Sequence, residues 1–81
     1  MQDNQPRTYH LRDGGRITAA TAAEFVKELH AGSFFDNEGT DEAYMVRFAA
    51  RHQVSTGRLV RTDTPEHFVE DLKGTGYILP D

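Results

Sequence analysis

Three threonines divide this chain, and each stands where a helix has to begin. Thr21-Ala22-Ala23-Glu24 has the spacing of a capping box, in which the threonine hydroxyl and the glutamate carboxylate satisfy each other's orphan amides. Thr40 is followed by Asp41 and Glu42, two acids that complement the positive end of a helix dipole. Thr64-Pro65-Glu66 combines an N-cap, a proline at the first helical position and an acid in the first turn. The apolar residues downstream recur at helical spacing: Ala22, Phe25, Val26 and Leu29 after the first threonine, then Pro65, Phe68, Val69 and Leu72 after the third. Gly32 and Gly74 are the expected stops of these two helices. The second helix is predicted from Thr40 to Val54. Tyr44, Met45, Phe48 and Ala49 form one apolar face on it, and Val46, Ala50 and Val54 a second, leaving a narrow window for Arg47 and Arg51. A helix apolar on most sides belongs at the centre of a fold, so this one is predicted as the core element, with Phe48 among the most buried residues.

Upstream of the helices, Tyr9, Leu11 and Ile17 flank Asp13-Gly14-Gly15. A three-residue loop over those positions predicts a hairpin with Leu11 opposite Ile17, both facing the core, and Arg12 opposite Arg16 on a solvated face. An isolated hairpin is marginal, so a helix or a third strand has to lie behind it. Leu59-Val60 is a candidate short strand, pairing with the hairpin or with Tyr77 to Leu79. The expected fold class is therefore α+β, a small single domain of three helices and an N-terminal β-hairpin; an all-α three-helix bundle is the alternative. Residues 1–7 are expected to be a disordered polar tail and residues 8–81 one globular domain, since 81 residues are too few for two cores. Such a domain has an expected radius of gyration of roughly 12 Å. The chain has no cysteine, which removes disulfides and thiolate metal sites and leaves packing to hold it together.

The charge is segregated. Tyr44 to Arg61 holds Arg47, Arg51, Arg58 and Arg61 and no acid, in a chain of net charge -4. The flanking segments, Ile17 to Ala43 and Thr62 to Asp81, carry seven and six charged side chains, of which six and five are acidic. Arg47 and Arg51 stand four apart, a like-charge pair that costs about 0.2–0.5 kcal/mol, and neither has an acid three or four residues away within the helix. Compensation has to come from outside the helix, either from Glu66, Glu70 and Asp71 on the third helix or from an acidic partner; the two expectations weigh equally. Phe34-Phe35, between the first two helices, is expected to wrap over the core, with an exposed aromatic anchor for a partner as the functional alternative.

Most chemistries lack their residues. His10, His30, His52 and His67 are scattered, with no pair at ligand spacing, so no metal site is expected; His30 and His52 fall near apolar stripes, where a half-buried structural histidine is the common outcome. Asp13-Gly14-Gly15 lacks the lysine and spacing of a phosphate loop, and Gly74-Thr75-Gly76 lacks the helix of a dinucleotide fingerprint. Ser33 and Ser55, the only serines, have no nucleophile context. The connection from about Ser55 to Asp63 is too long for a helix-turn-helix, and the overall acidity argues against a general nucleic-acid binder. No cofactor, small-molecule ligand or enzymatic activity is expected, and no stretch is long and apolar enough for a membrane; the expected location is cytoplasmic. The expected function is a small adaptor or regulatory domain that binds an acidic protein surface through Arg47, Arg51, Arg58 and Arg61, aided by Phe34 and Phe35. Weak nucleic-acid binding is the alternative and an enzyme a distant third.

Overall fold

The structure, a computed structural model, describes residues 5–33 and 38–80. A two-stranded antiparallel hairpin, β1 (Arg7–His10) and β2 (Arg16–Ala19), is followed by three helices, α1 (Ala22–Ala31), α2 (Asp41–Thr56) and α3 (Pro65–Thr75). This is the α+β arrangement, and the all-α alternative falls. The radius of gyration is 12.1 Å. Residues 1–4 of the expected N-terminal tail lie outside the described residues; Arg7 already belongs to β1.

Each threonine cap forms as its spacing requires. Thr21 accepts from the Glu24 amide at 3.1 Å, and Glu24 Oε1 reaches back to the amide of Ala20, one residue before the cap, at 2.7 Å. Thr40 accepts from the Ala43 amide and Thr64 from the His67 amide, both at 3.1 Å. The stops come later than expected for two helices. α2 continues to Thr56, ended by Gly57 at φ 75°, and α3 passes through Gly74 to end before Gly76 at φ 89°. Both terminal glycines take the left-handed conformation that costs any other residue steric strain. Thr64→Ala should lower stability by about 0.5–2 kcal/mol while Thr64→Asp retains it, because only a side-chain acceptor satisfies the His67 amide. Equal chemical-denaturation midpoints for the three proteins would remove Thr64 from the cap.

The hairpin register is two residues from the expected one. Tyr9 pairs with Ile17 and His10 with Arg16, while Leu11 closes the turn by donating its amide to the Gly15 carbonyl at 2.8 Å. The loop is therefore Arg12-Asp13-Gly14, because Gly14, at φ 96°, supplies the left-handed residue that a three-residue hairpin needs in its last loop position. A two-residue slip preserves the faces. Leu11 and Ile17 are both buried, as expected, and Arg12 no longer faces Arg16.

Two supports stand behind the hairpin. α1 packs on β2, and the chain after α3 returns along the outer edge of β1: Arg12 donates to the Tyr77 carbonyl and Leu79 to the His10 carbonyl, both at 2.8 Å, around a bridge between Leu11 and Ile78. Of the two candidate third strands, Tyr77 to Leu79 thus meets the hairpin. Leu59-Val60 forms no strand; Val60 is buried and Leu59 points outward.

The centre of the core is α1. It packs against β2, α2 and α3, and its Phe25 and Val26 are fully buried together with Met45, Phe68 and Leu72. The expectation of a central α2 is corrected: only Tyr44 and Met45 of that helix are buried, and Phe48 is half-buried at the core's rim. Phe48 there joins a cluster of rings, edge-on to Phe68 and Tyr77 at 5.7 and 5.2 Å between centroids and stacked on His52 at 5.7 Å. The second apolar face of α2 turns away from the core, with Val46 56% and Val54 89% exposed.

Candidate functional site

The four arginines separate into different situations. Arg61, on the chain between α2 and α3, grips the acidic side of α3. Its Nε and Nη2 donate to the two carboxylate oxygens of Asp71 at 2.9 Å each, Nη2 also reaches Glu70 Oε1 at 2.9 Å, and its backbone amide donates to Asp71 at 2.8 Å. These hydrogen bonds hold the Asp71 carboxyl down to about 2 and push the Arg61 guanidinium above its usual range. The acidic side of α3, weighed from the sequence as the internal partner of Arg47 and Arg51, thus engages Arg61. The fork geometry fixes the loop, although a pair this exposed adds little to stability.

Arg47 is half-buried and donates from Nη2 to the Glu38 carbonyl at 2.8 Å. Arg51 is exposed, with its guanidinium 6.0 Å from the centre of the Phe48 ring, at the outer limit of a cation–π contact. Arg58 follows the left-handed Gly57, its amide donates to Thr56 Oγ1 at 3.2 Å, and among the described residues its guanidinium has no hydrogen bond or ion pair. Phe34 and Phe35 lie outside the described residues.

Around Arg51 and Arg58 the surface is not purely basic. Val46, Ala50 and Val54, at i, i+4 and i+8, make an exposed apolar line along α2, and Leu59, beyond the helix, is 76% exposed. Arg47 and Arg51 run beside that line one residue on. The sequence showed this stripe but could not show that it faces outward. It is a small apolar strip edged by cations.

A second cluster was not foreseen. A cleft of about 590 Å³ at the C-terminal end of α2 is lined by Arg12, Asp13, His52, Ser55, Arg58 and Tyr77, with Thr56 and Thr75 beside them. Three separate pieces of chain build it. The hairpin loop brings Arg12 and Asp13, the end of α2 brings His52 to Arg58, and the chain leaving α3 brings Thr75 and Tyr77. The Tyr77 hydroxyl donates to Asp13 Oδ2 at 3.1 Å, and burial followed by the Asp13 charge raises that phenol well above its usual range. Asp13 Oδ1 accepts from the Gly15 amide at 3.0 Å, so both of its oxygens are engaged. Thr75 Oγ1 donates to the Leu72 carbonyl at 3.2 Å and therefore accepts from His52 Nε2 at 2.9 Å, which leaves Nδ1 as the bare nitrogen of the neutral ring.

His52 is held below the ordinary histidine range by burial first and by the positive charge of Arg12 second. A histidine with lowered proton affinity in the folded state leaves the unfolded chain binding more protons, so stability rises with pH. Wild type should therefore lose stability as pH falls through about 6.5, and His52→Gln should flatten that part of the profile. Parallel profiles of denaturation midpoint against pH for the two proteins would refute the assignment.

His30 is buried, and it is structural. Nδ1 meets Asp41 Oδ1 at 2.9 Å, Nε2 meets the Glu38 carbonyl at 3.2 Å, and the ring stacks on Tyr44 at 4.7 Å between centroids. The expected half-buried, satisfied histidine is thus more buried than expected and satisfied partly by a carboxylate. Among the described residues no group of His, Asp or Glu is arranged to hold a metal ion, and no helix is long and apolar enough to cross a membrane. A larger cleft of about 670 Å³, lined by Arg7, Tyr9, Lys73, Ile78 and Leu79, has no comparable cluster of histidine and hydroxyls; its ammonium lies over the Tyr9 ring at 5.7 Å. Compared with protein-family models, with curated proteins and with solved structures, the chain matches none.

Proposed function

We propose that this chain is a cytoplasmic, non-enzymatic binding module that docks a protein through the outer face of α2. The observation carrying this reading is the exposed line Val46, Ala50 and Val54, with exposed Leu59 beyond the helix, in company with Arg47, Arg51 and Arg58. Apolar contact at the centre with arginine at the edge is how protein interfaces divide their work: the apolar part supplies affinity and the charge supplies orientation and encounter rate. The matching partner is an amphipathic surface with an apolar strip and acidic borders. Nucleic acid is the weaker reading, because Glu70 and Asp71 lie against Arg61 and interrupt the basic run. A phosphate backbone also offers nothing to Val54.

The test uses a partner captured by the intact chain and compares two variants against it. Arg51→Glu with Arg58→Glu should weaken binding by roughly tenfold or more through the lost charge, and Val54→Asp should do the same through the apolar strip, with melting temperatures near wild type because all three side chains are exposed. Retention of the partner by both variants would end the proposal. Duplex DNA binding that survives Val54→Asp and falls with a log-log salt slope of roughly -2.7, about -0.9 for each of three arginines, would transfer the surface to nucleic acid.

A further inference from the structure

We infer that the cleft between the hairpin loop and the C-terminal end of α2 is a binding site for a phosphate-type dianion, held between Arg12 and Arg58. Both arginines line the cleft, and among the described residues neither guanidinium has a hydrogen bond or an ion pair. Their backbones are fastened where they enter: the Arg12 amide donates to the Tyr77 carbonyl at 2.8 Å and the Arg58 amide to Thr56 Oγ1 at 3.2 Å. Two exposed arginines thus line one concavity without an ion pair among the described residues. The planar guanidinium fork suits a tetrahedral oxyanion better than a point charge does.

The remaining lining completes such a site. The Ser55 hydroxyl is exposed at its edge, and the bare Nδ1 of His52 becomes a donor if that ring takes up a proton. The one carboxylate present, Asp13, has both oxygens occupied by the Gly15 amide and the Tyr77 hydroxyl, so two positive charges face a single engaged negative one. A dianion is favoured over a carboxylate because it offers oxygens to both guanidinium forks, and with Asp13 counted its second charge is balanced when His52 takes up a proton. Arg12 acts on His52 from the hairpin, Tyr77 lies edge-on to the ring at 5.6 Å, and Arg58, after α2, and Asp13 line the same cleft; an anion between the arginines therefore draws the ring toward its protonated form, coupling ligand and proton.

The site shares Arg58 with the α2 surface, but Arg12 lies outside that surface and the phosphate chemistry does not use Val54, so Arg12→Gln and Val54→Asp tell the two readings apart. The experiment is a titration of the full chain with inorganic phosphate at constant ionic strength, followed by amide and imidazole NMR shifts. Saturable shifts confined to Arg12, His52 and Arg58, with His52 taking up a proton at a higher pH when phosphate is bound, are expected. Arg12→Gln and Arg58→Gln should each weaken the binding by about tenfold, while Arg7→Gln and Val54→Asp leave it unchanged. A parallel titration with a phosphoserine peptide of otherwise neutral sequence separates the sources. Saturation by inorganic phosphate assigns the free ion, and saturation by the peptide alone assigns a phosphoryl group carried on a chain. Shifts that sodium chloride reproduces, that fail to saturate with either probe, or that Arg7→Gln diminishes as much as Arg12→Gln overturn the inference.

Discussion

Phe25→Ala should destabilise the domain by about 3–5 kcal/mol, a loss comparable with the whole stability of a chain this small. Phe25 has no exposed surface; its ring meets the edge of Tyr9 at 5.1 Å, and it belongs to the one helix that packs on β2, α2 and α3 together. Removing the ring leaves a cavity at the junction of sheet and helices, where no single neighbour can collapse to fill it. Phe48→Ala is the comparison. Its ring is half-buried and its neighbours Tyr77 and His52 lie at the rim, so its loss should cost distinctly less. Urea midpoints for the two variants check the order, and a larger loss for Phe48→Ala would restore α2 as the centre of the core.

His30→Phe should lose about 1–3 kcal/mol, although it keeps a ring against Tyr44. Both ring nitrogens lie at hydrogen-bond distance from an acceptor, Asp41 and the Glu38 carbonyl, and the residue is 7% exposed, so phenylalanine removes both polar contacts and sets an apolar edge against them. These contacts run from the end of α1 to the beginning of α2. The destabilisation should be coupled to Asp41: Asp41→Asn combined with His30→Phe should cost less than the sum of the single changes. Additive losses, or a His30→Phe midpoint equal to wild type, would show that the histidine does no more than fill space.

The elements themselves were legible because their signals are local. A threonine three residues before the amide it caps, a proline confined to the first turn and an apolar repeat of helical period act within one turn of backbone. All three helices consequently start where Thr21, Thr40 and Thr64 place them. The buried partners of the hairpin were legible too, since a strand's two faces alternate strictly and a two-residue slip in register cannot exchange them. The slip was not readable: Gly14 and Gly15 can each take the left-handed position that ends a three-residue loop, and the structure places it at Gly14. Gly74 misled as a helix stop because Gly76, two residues on, provides the left-handed terminus while Gly74 continues as helix.

What the chain alone could not determine is which way a doubly apolar helix turns. Tyr44 and Met45 on one face of α2 and Val46 and Val54 on the other are equally hydrophobic by pattern, and only the space taken by α1 and α3 decided that the first pair is buried and the second exposed. The same limit governs the arginines. Arg61 pairs with Asp71 while Arg58 has no ion pair among the described residues, although the two stand three residues apart, because the fold sets the carboxylates of α3 against one guanidinium and a cleft beside the other. The cleft of Arg12, His52, Arg58 and Tyr77 joins positions with no common period or spacing along the chain. Local sequence determines where backbone amides and carbonyls find their partners within a turn; the juxtaposition of distant side chains is decided by packing, since the hydrophobic effect rewards buried area without regard to direction.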